Sequence, residues 1–260
     1  MAIVSQLRGP YGPPEKKMSN QYDLIAAEYK HMKKRVLYRI VDHSLKNVLK
    51  KISGLDVLDL ACGEGYTSRQ LKSYGANKVI GVDISAEMIK LAQEQERRSP
   101  LGIKYICSSA QNLGCVGRFD LVTGIFLLHY ANNERELFQI CEIISKNLKD
   151  DGIFIGANNK GLAKNLFNDF SKYDFRHIAD CNIKEGQEFR LIVEYGDAVT
   201  EIAMRHYSRR TYSRALRAAG FKKIQWLDFS VPQEILRDPE NKKWHGFGKI
   251  SAESLLICRK

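Results

Sequence analysis

No Cys-x-x-Cys pair occurs in this chain, although six cysteines do, at positions 62, 107, 115, 141, 181 and 258. A zinc ribbon or a thioredoxin-like redox motif is thereby excluded, no metal site is expected, and the thiols read as reduced side chains, several of them in core strands. Long apolar runs are lacking too. None approaches the ~18 uncharged residues that a membrane span needs. The first residues, Met1 to Tyr11, contain no apolar core of the secretory kind, so a cytoplasmic protein is expected. Internal repeats are absent. The only compositional oddity is Gly9-Pro10-Tyr11-Gly12-Pro13-Pro14, which makes residues 1–17 read as a flexible arm.

Acidic residues are scarce at the two ends. Residues 1–53 carry 11 Lys and Arg against 4 Asp and Glu, residues 205–260 carry 13 against 5, and the stretch between them carries 17 against 21. The net charge of +11 over 260 residues is therefore concentrated at the termini. Two readings follow: a surface for an acidic partner such as nucleic acid, or solvated helix faces. The helical spacing of Val36, Leu37, Ile40, Val41, Leu45, Val48, Leu49 and Ile52, with lysines between them, supports the second.

What is present is an alternation. Short apolar runs at 55–60, 78–82, 103–107, 119–123 and 152–156 read as strands, and helical patterns over Thr67–Tyr74, Ala86–Arg97 and Glu134–Leu148 separate most of them. Strands that alternate with helices predict a parallel sheet with crossover helices, and near-continuous apolar strands predict a sheet covered on both faces. Two further helices are expected over 20–30 and 34–52. Beyond 160 the pattern loosens into a hairpin around Gly196-Asp197, a helix over Arg209–Ala219, and strands near 223–229 and 252–258. The fold expected is α/β, doubly wound, with a mostly parallel seven-stranded sheet. One domain spans 18–260: an N-terminal helical lid (18–53), a cofactor-binding core (54–157), a substrate-side insertion (158–207), and a C-terminal helix with strands (208–260).

The first strand ends in Asp59-Leu60-Ala61-Cys62-Gly63-Glu64-Gly65-Tyr66-Thr67. Glycines at a strand-to-helix turn let the backbone approach a ligand closely. Twenty residues beyond Gly63, Asp83 closes the second strand, where nucleotide-binding α/β folds place the carboxylate that takes ribose hydroxyls. Two features count against a dinucleotide. Ser68 stands where the third glycine or alanine of that fingerprint is expected, and Asp59 beside the loop suits a cationic ligand group rather than a pyrophosphate.

These segments, together with Gly81-Val82-Asp83-Ile84-Ser85, Phe119-Asp120-Leu121-Val122, Leu127-Leu128-His129-Tyr130 and Leu148-Lys149-Asp150-Asp151-Gly152, resemble the class I S-adenosylmethionine-dependent methyltransferases, in order and in separation. Tyr22-Asp23-Leu24-Ile25-Ala26, Tyr29 and Ala218-Ala219-Gly220-Phe221 extend the likeness loosely to both ends. The run Asp59–Glu96 and the stretch Leu128-His129-Tyr130-Ala131 are most similar to the subgroup around toxoflavin biosynthesis, which methylates nitrogen of a small heterocycle.

The resemblance implies S-adenosyl-L-methionine as cofactor, with S-adenosyl-L-homocysteine as its product. Asp59 would hold the methionine amino group, with Ala61, Gly63 and Gly65 around the methionine moiety and Phe126 beside it. Asp83 would bind the ribose and Ile84 would pack on adenine. Ser109, Ala110 and Gln111 would line the adenine edge, where many members carry Gly-Asp-Ala in place of Ser108-Ser109-Ala110. Tyr29 would close over the cofactor. For each of these a plainer role stands beside it: Ile84 and Phe126 as core, Asp59 as a helix cap.

Methyl transfer is an in-line displacement that asks mainly for alignment and a dry site. His129, just past the fourth strand, is the candidate base or orienter, and Tyr130 a candidate for ordering the substrate; both are equally readable as structural. The aromatic cluster Trp244-His245-Gly246-Phe247-Gly248 reads either as a substrate wall or as packing. A small organic acceptor is the leading expectation. Nucleic acid or protein, reached through the basic ends, is the alternative, although no Asn/Asp-Pro-Pro-Tyr motif of the base-amine enzymes follows the fourth strand. A non-catalytic cofactor-binding scaffold is a third reading. The expected assembly is a monomer or a homodimer.

Overall fold

The computed structural model describes residues 36–49, 52–195 and 198–260. The arm over 1–17, the helix expected over 20–30, Tyr29 and the hairpin tip Gly196-Asp197 lie outside the described residues.

The first described helix, α1 (Val36–Val48), buries Ile40, Val41, Ser44 and Leu45 along one stripe, as its apolar spacing requires. Then follow β1 (Asp56–Leu60), α2 (Tyr66–Ser73), β2 (Lys78–Asp83), α3 (Ala86–Arg98), β3 (Lys104–Cys107), β4 (Phe119–Ile125), α4 (Glu134–Lys146) and β5 (Leu148–Asn159). The predicted alternation is thus present. Side-chain caps start α3 and α4: Ser85 Oγ accepts from the Met88 amide, and Asn133 Oδ1 from the Glu136 amide.

The chain then leaves the sheet to build β6 (Phe175–Ile178), β7 (Glu188–Tyr195) and β8 (Ala198–Arg205), an antiparallel three-stranded sheet of its own. The β7–β8 hairpin was legible in the sequence; β6 was not. The chain returns through α5 (Arg209–Ala218), β9 (Lys223–Leu227), α6 (Gln233–Leu236), α7 (Phe247–Ile250) and β10 (Glu253–Arg259).

The large sheet has seven strands in the order β3-β2-β1-β4-β5-β10-β9, parallel except that β10 runs against both of its neighbours. Alternate residues enter opposite layers. Val57, Val79, Leu121 and Leu255 join a core with α1, α2, α3 and the small sheet, while Leu58, Ile80, Val122 and Leu256 join a second core with α4 and α5. Chain order reverses between β1 and β4, which opens a crevice at their carboxyl ends, the place where open α/β sheets bind ligands.

Trp244 and Phe247 belong to packing. With ring centroids 4.9 Å apart, they join Phe170, Tyr173 and Phe175 in an aromatic cluster under the small sheet, and both are buried. Among the described residues no helix is long and apolar enough to cross a membrane.

Candidate active site

The turn after β1 is built on left-handed backbone. Ala61 (φ 56°), Gly63 (φ 55°) and Gly65 (φ 86°) all occupy that region, and alanine does so at a cost. At Gly65 the requirement is double, because a Cβ there would lie 2.3 Å from Tyr105 Oη. At Gly63 the space beside the backbone is open. The Gly63 amide points back and donates to Asp83 Oδ2 at 2.8 Å, while Asp83 Oδ1 accepts from the Ser85 amide at 2.9 Å. One carboxylate thus fixes the glycine turn against the start of α3, and the residue also lines the crevice wall.

A cleft of about 900 Å³, open to solvent, extends from this point. It brings together Ala61, Gly63, Asp83, Ile84, Ser109, Ala110, Gln111, Phe126 and Tyr130 from the sequence-predicted set. Ile84 is 41% exposed, so it is no core residue, and it offers an apolar face at the cleft. Ala110–Asn112 forms a short 3-10 turn. Gln111 Nε2 donates to Glu136 Oε1 at 2.9 Å, and Glu136 Oε2 accepts from both the amide and the side chain of Asn132. Glu136 and Asn132 line the same cleft and were missed from sequence. They come from the start of α4 and the loop before it, yet they put an acid beside the segment whose own acid is replaced by serine.

Asp59 lies elsewhere. It is 1% exposed, beneath the turn, and is not among the side chains forming the cleft wall. Ser68 Oγ donates to its Oδ2 at 2.6 Å and Thr123 Oγ1 to its Oδ1 at 2.7 Å. The carboxylate therefore ties α2 to β4, and Ser68, out of place in a dinucleotide fingerprint, is its partner.

At the end of β4, Phe126 also holds a left-handed backbone (φ 59°), and its amide donates to the Ala157 carbonyl at 2.6 Å. Phe126 and Tyr130 line the cleft and also a second cavity of about 740 Å³, likewise open to solvent. Leu37, Tyr38 and Val41 of α1, Phe175 of β6, Leu191 and Val193 of β7, Ile202 and Met204 of β8, and Phe229 complete its mostly apolar wall.

Besides the tyrosines Tyr38 and Tyr130, two titratable groups interrupt that wall, His129 and Glu253. His129 is fully buried, in the short turn Leu128–Tyr130, with its ring edge-on to Tyr130 at 4.4 Å. Its Nδ1 accepts from the Asn159 amide at 3.2 Å, which assigns the ring proton to Nε2. That Nε2 has no hydrogen-bond partner among the described residues. Burial pulls its pKa down to about 4, against the opposing charge of Glu253, so the ring is neutral at physiological pH.

Glu253 begins β10. Its Oε1 lies 3.2 Å from His177 Nε2 on β6, and its Oε2 accepts from Ser251 Oγ at 3.0 Å. Burial raises its pKa, but the His177 and Ser251 hydrogen bonds and the nearby imidazoles outweigh burial and leave it lowered. Neither Glu253 nor His177 stood out in the sequence. The one available signal was an acid opening an otherwise apolar strand, Glu253-Ser254-Leu255-Leu256-Ile257. Among the described residues no cluster of side chains fits a metal ion.

The arrangement suits a nucleoside: a carboxylate for a vicinal diol, apolar faces for a flat base, and a close-approach glycine turn beside them. A second chamber with a more apolar wall adjoins it. The family model described as "Methyltransferase domain" matches residues 57–152. An uncharacterized protein of Methanocaldococcus jannaschii is 28% identical over 223 residues, 83% of this chain and 80% of that protein. A ubiquinone biosynthesis O-methyltransferase of Pelagibacter ubique is 29% identical over 129 residues, 49% of this chain; the chain spans about half the length of that relative (52%). Among solved structures, an S-adenosylmethionine-dependent methyltransferase from Mesorhizobium loti shares the fold, with a TM-score of 0.58 and 20% identity over 83% of this chain and 95% of that one.

Proposed function

We propose that this chain, which carries a class I S-adenosylmethionine-dependent methyltransferase domain, methylates a small, flat organic molecule held in the second cavity. The cofactor fits the residues present: the Gly63 turn is open to a ligand, and the Asp83 carboxylate, which accepts from the Gly63 and Ser85 amides, lines the cleft beside it. In this reading Asp83 takes the ribose hydroxyls. Ile84, Ser109, Ala110 and Gln111 flank the adenine, and Ala61, Gly63 and Phe126 border the remainder. Asp59 acts beneath the turn, by fixing α2 against β4. When bound, the cofactor supplies a methyl group on a positively charged sulfur, an electrophile strong enough to need no activating side chain.

One observation carries the choice of acceptor. The second cavity shares Phe126 and Tyr130 with the cofactor cleft and is otherwise walled by apolar side chains. A pocket of that kind selects flat organic molecules and keeps water from the transfer. A relative named for O-methylation in ubiquinone biosynthesis supports a small organic acceptor. Basic residues near the C-terminus are partly used inside the protein, which weakens the nucleic-acid reading. Arg209 stacks over Trp226 and donates to the Lys160 carbonyl, Arg214 pairs with Glu134, and Lys260 donates to the Ser145 carbonyl.

The test uses methyl-labelled S-adenosylmethionine, the full chain and an extract of its source cells. Label is expected in the small-organic fraction. Label released by nuclease or protease would replace the reading, and steep salt dependence of polynucleotide binding would accompany the nuclease outcome.

A further inference from the structure

We propose that Glu253 receives the proton of the methyl acceptor, and that the acceptor therefore presents one O–H or N–H group on a flat apolar body, next to an atom that accepts from His129. This rests on the reading that the second cavity holds the acceptor.

A carboxylate facing an apolar chamber is costly unless it is hydrogen-bonded or used. Glu253 is 9% exposed and lines the chamber. His177 and Ser251 each engage one of its oxygens from behind, which fixes its position and leaves lone pairs for a ligand. His129 supplies the opposite kind of group. Its ring is held through Nδ1 by the Asn159 amide, so the nitrogen left over carries a proton, and that buried Nε2–H has no partner among the described residues. One wall group accepts and the other donates. A hydrocarbon would leave the His129 donor unpaired and set the carboxylate against apolar surface, whereas a ring with a hydroxyl or ring N–H beside an oxygen or a nitrogen would give each a further partner.

The same pairing divides the chemical roles. The Asn159 amide occupies the lone pair of Nδ1 and the proton sits on Nε2, so the ring offers no acceptor nitrogen to the substrate. The imidazole orients the acceptor and takes no proton. As the acceptor's lone pair forms the new bond to the methyl carbon, its O–H or N–H bond breaks and an O–H bond forms on Glu253. The electron pair of the broken carbon–sulfur bond remains on sulfur. The site begins with one negative carboxylate and one positive sulfonium and ends with both neutral, so no net charge is created in an apolar chamber.

The test loads the full chain with S-adenosylhomocysteine and titrates two near-isosteric probes by ligand-observed NMR. They are 2-methoxyphenol and 2-methylanisole, which differ by a hydroxyl in place of a methyl group. The phenol is expected to bind at least tenfold tighter. In Glu253→Gln that ratio falls about fivefold while the affinity for S-adenosylhomocysteine stays within twofold, because a neutral acceptor replaces a charged one. With labelled cofactor and the acceptor recovered from the extract, single-turnover transfer falls about a hundredfold in the same variant. Equal binding of the two probes to the wild type overturns the proposal without recourse to any variant, so a Glu253→Gln protein that fails to fold does not shield it. An unchanged ratio or rate in a folded Glu253→Gln also overturns it. Failure of the wild type to bind S-adenosylhomocysteine at all sinks the proposed function instead, which separates the two failures.

Discussion

Asp83 carries two structural bonds before any ligand arrives, one to the Gly63 amide and one to the Ser85 amide. Its charge therefore organises the turn as well as facing the cleft. Asp83→Asn keeps an oxygen for one of those amides and removes the charge. The expected outcome is an S-adenosylhomocysteine Kd raised roughly ten- to a hundredfold, the scale of a hydrogen bond to a charged group, with the far-ultraviolet circular dichroism unchanged. Calorimetric titration checks it, and a Kd within twofold of wild type would remove Asp83 from the cofactor site. The glycines and Asp83 were legible in the sequence because each answers a local demand: a left-handed turn, or a strand end at a fixed distance from it. Glu253 and His177 were not, since 76 residues separate them and only the return of β10 beside β5 brings them together. Asp59 shows a third case. Its position at the end of β1 was correctly marked, but its partners Ser68 and Thr123 lie on two other elements, so its direction could not be read.

At the level of elements, the strands of the main sheet came through because the central ones are apolar runs buried on both faces, while the edge strands β3 and β9, partly exposed, still read as short apolar-rich runs. β6 did not, since Phe175-Arg176-His177-Ile178 is four residues long and mixes charge with apolar side chains. That short strand nonetheless brings both Phe175 and His177 to the second cavity or its border. The small sheet is thus the element on which acceptor choice depends, and a substitution there separates the two binding tasks. Leu191 of β7 lines the second cavity and not the first. Leu191→Trp places an indole in the chamber. Affinity for S-adenosylhomocysteine is expected to stay within twofold, while methylation of the extract acceptor drops at least tenfold through a raised KM. Parallel calorimetry and label transfer check this; equal losses in both would mean that the two cavities are not functionally distinct.

For the whole molecule, a neutral buried histidine makes stability depend on acid. His129 is folded with a pKa of about 4, and in the unfolded chain it returns to its ordinary value near 6.5. Between those values the unfolded state binds more protons, so stability rises with pH and is lost as pH falls from about 6.5 toward 4. The charge that faces the ring is Glu253 from β10, which opposes the shift. At pH 5 the expected loss from this one group is about 2 kcal/mol relative to pH 7.5. His206, lowered by burial against the opposing charge of Glu185, adds to it in the same sense. Glu253, held below its ordinary value, contributes in the same direction at lower pH. Urea unfolding at pH 5 and pH 7.5 checks the assignment. His129→Gln should flatten the pH dependence by about that amount, and an unchanged slope would show that His129 is not the titrating group.

The small sheet also bears on descent and on engineering. Residues 175–205, with their connections, enter and leave the main fold between β5 and α5, while the cofactor cleft draws its lining from residues 61–140. Recombination at 160 and 207 would exchange Phe175, Leu191, Val193, Ile202 and Met204 of the second cavity while leaving the cofactor cleft, His129 and Glu253 in place, so the apolar shape of the chamber can be rewritten without touching its polar pair.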